Sequence, residues 1–160
     1  VPKVTFFLEI KPHPQERIRF HFKGWGKRRQ ILPYLPEKTR DFQNGVRQMA
    51  RDYMEANNIP EFPKKIPLEL TAIFYLDRPA SAKKRLAPIV RPDLSNYLKS
   101  IEDGLQRAAK DDKDPALIED DSSVCRIVCE KRYVDDDYPT AGILVTLAEW
   151  SPNVEPSVSD

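Results

Sequence analysis

Two apolar periods take turns along this chain, and their order limits the folds open to it. Leu68, Leu70, Ala72, Phe74 and Leu76 alternate with Glu69, Thr71, Ile73 and Tyr75, the period-two pattern of a strand. Residues 4–10 are dense in β-branched and aromatic side chains, and residues 17–22 set Ile18, Phe20 and Phe22 against Arg17, Arg19 and His21. Val124–Tyr133 and Gly142–Glu149 read as two more strands, joined by the acidic turn 135–137. Helical spacing interrupts this pattern twice. Phe42, Val46, Met49, Ala50, Tyr53 and Met54 follow a helix entry at Pro36 and Glu37, and Asn57, Asn58 and Pro60 end it. Leu94, Tyr97, Leu98, Ile101 and Leu105 fall on one arc after Pro92. The order β-β-α-β-α-β-β is not a strict alternation. It predicts one α+β domain, a mixed sheet with two main helices packed on one face, rather than a doubly wound fold. The domain is expected over 1–150, with 151–160 as a disordered tail.

The 160 residues suffice for one domain with a real core and hardly for two. The formal net charge of +1 neither demands nor excludes a nucleic-acid partner, so the placement of charge decides more than its sum. Lys23, Lys27, Arg28 and Arg29 cluster around Trp25 in a Gly-containing loop. Lys83, Lys84, Arg85 and Arg91 form a second basic cluster, immediately before Asp93. No apolar run reaches the roughly 20 residues of a membrane span, and the opening residues lack the basic-then-apolar pattern of a signal peptide, which predicts a cytoplasmic protein. On a strand, Cys125 and Cys129 share a face about 13 Å apart, too far for a disulfide. With no histidine partners they also make a poor zinc site, and they read as reduced thiols.

Two acidic segments stand out. Arg91-Pro92-Asp93-Leu94-Ser95-Asn96 opens the second helix, with Lys99 one turn beyond Ser95. An Asp after Pro and before an apolar-periodic run is also a good helix cap. Glu119-Asp120-Asp121 directly precedes a strand. A hard divalent cation needs carboxylate oxygens from separate elements, which a helix start and a strand start meeting at one sheet edge would supply. A lysine on the same polar arc would neutralise developing charge or contact a phosphate.

These segments resemble, in order, the motifs of the RusA-type Holliday junction resolvases. Residues 91–99 look like a pattern in which Pro-Asp-Leu-(Asp/Ser/Thr)-Asn precedes a lysine. Ile101-Glu102-Asp103-Gly104-Leu105 resembles its helix continuation, and Asp120-Asp121-Ser122-Ser123-Val124 is similar to a downstream Asp-Asp-Ser-Gln-Val. Arg17-Ile18-Arg19-Phe20 and the stretch from Tyr34 to Phe42 resemble two upstream segments of the same family.

The resemblance implies a homodimeric endonuclease that binds branched DNA, the four-way junction, and nicks it symmetrically with Mg²⁺, Mn²⁺ substituting. Asp93 and Asp121 would be catalytic, metal-binding carboxylates, with Asp120 a further metal candidate. Lys99 would be the catalytic lysine, and Ser95 and Asn96 would shape the site. Arg17, Arg19, Lys23, Lys27, Arg28, Arg29, Lys83, Lys84, Arg85 and Arg91 would hold DNA, and Trp25 would stack on or wedge a base. Members are common in phages and prophages. The chain departs from the pattern at Ser95, where the best-known members carry a second aspartate, and at Ser123, where glutamine is usual. The alternative reading is a branched-DNA-binding module of the same fold without catalysis, with Ser95 marking a lost ligand. A structural or protein-interaction domain, with Asp93 only a cap, is the other.

Overall fold

A computed structural model describes residues 2–152. The tail expected at 151–160 therefore lies almost wholly outside the described residues. The elements are β1 (Val4–Leu8), β2 (Arg19–Lys23), β3 (Gln30–Tyr34), α1 (Glu37–Asn57), β4 (Leu68–Leu76), α2 (Leu94–Leu105), β5 (Val124–Tyr133) and β6 (Gly142–Glu149). Four strands form a mixed sheet in the order β1-β6-β4-β5, and β2 and β3 form a separate two-stranded hairpin. The α+β architecture is as expected, with β3 as an addition that Pro33 hid from a reading by β-propensity.

Local chemistry sets the helix limits. Pro36 is fixed near the φ that opens α1, and the Arg40 N–H closes the first turn on the Pro36 carbonyl at 3.0 Å. At the other end Asn58 adopts the left-handed conformation (φ 51°) that Asn tolerates. There the Ile59 N–H reaches back to the Met54 carbonyl at 2.9 Å, closing the C-terminus.

The core lies between one sheet face and the two helices. Leu68, Leu70, Ala72 and Phe74 of β4 and Ile143, Val145 and Leu147 of β6 meet Phe42, Val46 and Ala50 of α1 and Tyr97, Ile101 and Leu105 of α2. The helices approach closely at Gly104, where a Cβ would sit 2.8 Å from Val46 Cγ1, so no larger residue fits without a shift. The stretch 106–117, polar in sequence, is a connection whose end enters the core. Ala116, Leu117 and Ile118 are buried, the Ile118 N–H donates to the Leu105 carbonyl at 3.2 Å, and the Phe62 N–H to the Leu117 carbonyl at 3.0 Å. This anchor fixes where the chain emerges at Asp120 and Asp121.

The pairing of β4 with β5 is parallel, whereas β6 pairs antiparallel with both β1 and β4. Parallel neighbours need a crossover, and α2 is that crossover. Its start therefore follows the carboxyl end of β4, and its end returns to the amino end of β5. The register of β4 on β5 skips Cys125 (Leu68 pairs Val124, Glu69 pairs Arg126), so this thiol sits at a bulge and is exposed.

Candidate active site

Asp93 and Asp121 occupy different ends of this crossover. Asp93 takes the N-cap position of α2, and its side chain makes no capping hydrogen bond. Asp121 opens a short 3₁₀ turn before β5, and its N–H points to Gln106 Oε1 at 3.4 Å. The Gln106 amide folds back on the Glu102 carbonyl at 3.3 Å. Nine residues of helix separate Asp93 from Glu102, a rise of about 13 Å. The expected juxtaposition of helix start and strand start is thus corrected: the parallel β4-α2-β5 connection puts the helix end, not its start, beside Asp121.

Lys99 lies between them. Its Nζ is 2.8 Å from Asp103 Oδ1, and Asp121 and Glu102 add negative potential. Gln43 of α1 donates to the other Asp103 oxygen at 3.4 Å and to Gln15 Oε1 at 2.9 Å. The bond to Asp103 holds the Lys99 ammonium above its ordinary pKa, so it remains a cation and not a proton acceptor. Half-buried Glu102 is raised above the usual carboxylate range by burial, against the pull of Lys99, with Asp121 and Asp103 adding to the rise. Arg47 reaches from α1 to the end of α2, with Nε to the Gln106 carbonyl at 2.7 Å and Nη2 to the Asp103 carbonyl at 3.0 Å. Gln43 and Arg47 are not singled out by the sequence, and Glu102 and Asp103 enter there only as part of the helix continuation, without a role in the site. The i,i+4 spacing of Lys99 and Asp103 was the available signal.

Asp120 is committed elsewhere. Lys64 Nζ lies 2.7 Å from its Oδ2, and the Ser122 N–H caps its Oδ1 at 2.9 Å. The bond to Lys64 first, and the Ser122 cap second, hold this carboxyl well below the usual range. Lys64→Met is expected to return it toward that range, read by NMR titration of the side-chain carbon. A value that stayed low would assign the depression to the Ser122 cap instead. Glu119 likewise accepts from the Lys64 N–H at 3.0 Å. Asp121 borders an open groove of about 660 Å³ lined also by Lys64, Gln106, Arg107, Lys110, Glu119 and Asp120.

At the other end of α2, Lys131 of β5 donates to the Val90 and Pro92 carbonyls at 2.9 and 3.1 Å and so pins the chain entering Asp93. Ser95 and Asn96 are exposed on the first turn, and the Asn96 carbonyl accepts from the Gln15 N–H at 2.9 Å. Lys83, Lys84, Arg85 and Arg91 are exposed on the preceding loop. Arg78 shapes that loop, with Nη1 on the Ala82 and Arg85 carbonyls at 2.8 and 2.7 Å and its guanidinium 4.2 Å above the Tyr133 ring. Arg17, Arg19, Lys23, Lys27, Arg28 and Arg29 are exposed on or beside the hairpin, far in sequence from both aspartates. Arg19 approaches Glu16 at 3.5 Å, and Arg29 lies 4.1 Å over the Phe22 ring.

Among the described residues no three His, Cys, Asp or Glu side chains gather into a group able to hold a metal ion. A closed protein cage is therefore not the arrangement here. Each open carboxylate, taken singly, suits the manner in which Mg²⁺ is usually bound, through one or two carboxylates with water and substrate phosphate completing the shell.

The fold and site together define a single α+β domain that offers open carboxylates and a tethered ammonium on an exposed, cation-flanked surface. The family model for endodeoxyribonuclease RusA matches residues 9–146. The chain belongs to this family of nucleases, which act on branched DNA junctions. No curated protein matches the sequence. Among the described residues no helix is long and apolar enough to cross a membrane.

Proposed function

We propose that this chain is a Mg²⁺-dependent, structure-selective endonuclease that resolves four-way DNA junctions by paired symmetric nicks, working as a homodimer. One observation carries the reading. Around the site Asp103, Glu119 and Asp120 are all tied to neighbouring groups, whereas the carboxylates of Asp93 and Asp121 accept no hydrogen bond from the described residues. An N-cap aspartate that does not cap, beside a clamped backbone, is better explained by a ligand outside the chain than by helix stability.

Asp93 and Asp121 would each offer a carboxylate to Mg²⁺ or Mn²⁺, at opposite ends of α2 rather than to one ion shared within the chain. When bound, the ion polarises the phosphate and supplies an activated water at neutral pH. The chain's own groups do the rest. Lys99, kept charged and aimed by Asp103, stabilises the negative charge that builds on the phosphate oxygens during in-line attack. No imidazole serves as base: His13 is engaged with Thr39 and Glu16, and His21 stands beside Tyr34 on the hairpin. Lys83, Lys84, Arg85 and Arg91 bind backbone phosphates next to Asp93 and offset the repulsion between carboxylates and a polyanion. The basic hairpin tip adds a second phosphate contact, where Trp25, 94% exposed, is free to stack on an unpaired base. Two strands must be cut, and a twofold dimer presents two equivalent sites to a twofold junction.

The test is a four-way junction labelled on each strand, incubated with Mg²⁺, beside a linear duplex of the same sequence. The expected result is paired nicks at symmetric positions in the junction and none in the duplex. Binding without cleavage in either Mg²⁺ or Mn²⁺ would replace this reading with the binding module, Ser95 marking the lost ligand.

A further inference from the structure

The segment that leads from β1 to the hairpin, residues 11–18, forms neither helix nor strand. Pro12 and Pro14 fix two of its φ angles and remove two N–H donors, so it runs as a stiff strap. A connection of this kind usually lies loose on the surface. Here it crosses both helices. Pro12 is buried, and His13, Pro14, Gln15 and Glu16 are half-buried. On α1, Thr39 is fully buried, with its Oγ1 3.2 Å from His13 Nε2 and accepting from the Glu16 N–H at 3.4 Å. On α2, the Asn96 carbonyl accepts from the Gln15 N–H at 2.9 Å. These ties fasten the strap. The Gln15 side chain goes further. Its Oε1 accepts from Gln43 Nε2 at 2.9 Å, and the same nitrogen reaches Asp103 Oδ2 at 3.4 Å. Asp103 Oδ1 in turn holds the Lys99 ammonium at 2.8 Å.

We propose that Gln15 is a positioning residue for cleavage, fixing the Lys99 ammonium through Gln43 and Asp103. Lys99 needs such help. Its stem is flexible and its side chain 53% exposed, so a lone surface ion pair would aim it weakly. A hydrogen bond on the far oxygen of Asp103 stops the carboxylate from turning with the lysine, and that bond is only as fixed as the Gln43 amide that makes it. Gln43 is buried, and of its two bonds the one to Gln15 is the shorter. The strap therefore decides which way the amide points. Fold stability alone accounts for the ties at Thr39 and Asn96, which need no side chain from Gln15. It does not account for an amide reaching inward to a glutamine whose other partner is the acid of the site. The inference rests on the nuclease reading, in which Lys99 acts on the phosphate, but half of its test does not.

The experiment measures single-turnover cleavage of a four-way junction at saturating protein in Mg²⁺, for the wild type, Gln15→Met, Gln15→Glu, Lys99→Met and Gln15→Met/Lys99→Met. Methionine keeps the length of the side chain and removes the acceptor, whereas glutamate keeps the acceptor. Gln15→Met should cut roughly 10-fold more slowly, within the range of about 10²-fold that a misplacement of about 1 Å can cost. Its junction affinity in Ca²⁺ should be unchanged, and Gln15→Glu should recover most of the rate. In the Lys99→Met background, Gln15→Met should cost nothing further, because its effect passes through the missing ammonium. A loss that multiplies with that of Lys99→Met would overturn the proposal, since it would make Gln15 a direct contact or a support of the fold. So would a Gln15→Met variant that cuts as fast as the wild type. Proton NMR of the Lys99 Hε pair supplies a reading without DNA, metal or cleavage. The two protons should be inequivalent in the wild type, where the stem is held, and merge in Gln15→Met, with the same far-ultraviolet circular dichroism. A pair already merged in the wild type, or still separate in the variant, would also overturn it. Failure of the nuclease reading shows instead as a wild type that never cuts while its Lys99 signals respond as expected.

Discussion

Asp121→Asn is expected to lower junction cleavage on the order of 10²–10³-fold, the usual cost of removing one preorganised charged group from a reaction centre. Junction affinity measured in Ca²⁺ or EDTA should be unchanged, or tighter, because a negative charge facing a polyanion has been removed. In the free protein this carboxylate does little. It accepts no hydrogen bond from the described residues and is exposed, so its neutral isostere costs the fold almost nothing. Asp93→Asn should behave the same way for a further reason: Asn caps a helix as well as Asp does, and here no capping bond is lost. Cleavage that survives both substitutions would remove these aspartates from the chemistry. A mixture of the two variants then reads how the carboxylates cooperate, since α2 stands between them in one chain. Activity regained on mixing means that one chain's Asp93 serves with another's Asp121, and no regain means that each acts within its own chain.

That separation was the part of the site least legible in the sequence. The strand Leu68–Leu76 and both helices were readable because each has an unbroken apolar period, and the entry of α1 at Pro36 and its exit at Asn58 are local chemistry. The acidic segments were readable as motifs. Their mutual placement was not, because it depends on whether β4 and β5 run parallel, and no side-chain pattern states strand direction. Once the pairing is parallel, the length of α2 dictates that Asp93 and Asp121 part. The supports of the site were hidden for a different reason. Arg47 and Gln43 lie within a run of helix-forming residues and look like solvated surface. Only the packing of α1 against Gly104 turns them inward to meet the end of α2. The hairpin misleads in the opposite sense: its clean alternation is that of a strand on a core, yet its apolar face has no core beneath it among the described residues.

Arg47→Met should cost about 2–4 kcal/mol of stability, read by urea denaturation, and lower Tm by roughly 5–12 °C. Helix α2 ends without a glycine cap, so its last carbonyls need donors from elsewhere. Arg47, only 6% exposed, supplies them to Asp103 and Gln106 while its Nη1 binds Asn44 Oδ1 at 2.8 Å, and its positive charge sits where the helix dipole favours it. Burial, then the neighbouring Arg51, pull its pKa below the usual arginine value, a sign that holding the charge there has a cost. Removing the charge recovers part of that cost, but methionine fills the volume without donating, and two carbonyls at a buried helix end lose their partners. The loss of hydrogen bonds outweighs the relief, since each stranded group costs about 1–3 kcal/mol. Arg47→Lys, with one nitrogen in place of a fork, should recover less than half of the difference. The same variants connect stability to chemistry. The two carbonyls that Arg47 holds belong to the residues that aim Lys99 and meet Asp121, so cleavage measured well below the variant's Tm should fall while junction binding stays. An Arg47→Met variant as stable as the wild type would mean that the end of α2 is held by packing of Ile101 and Leu105 alone.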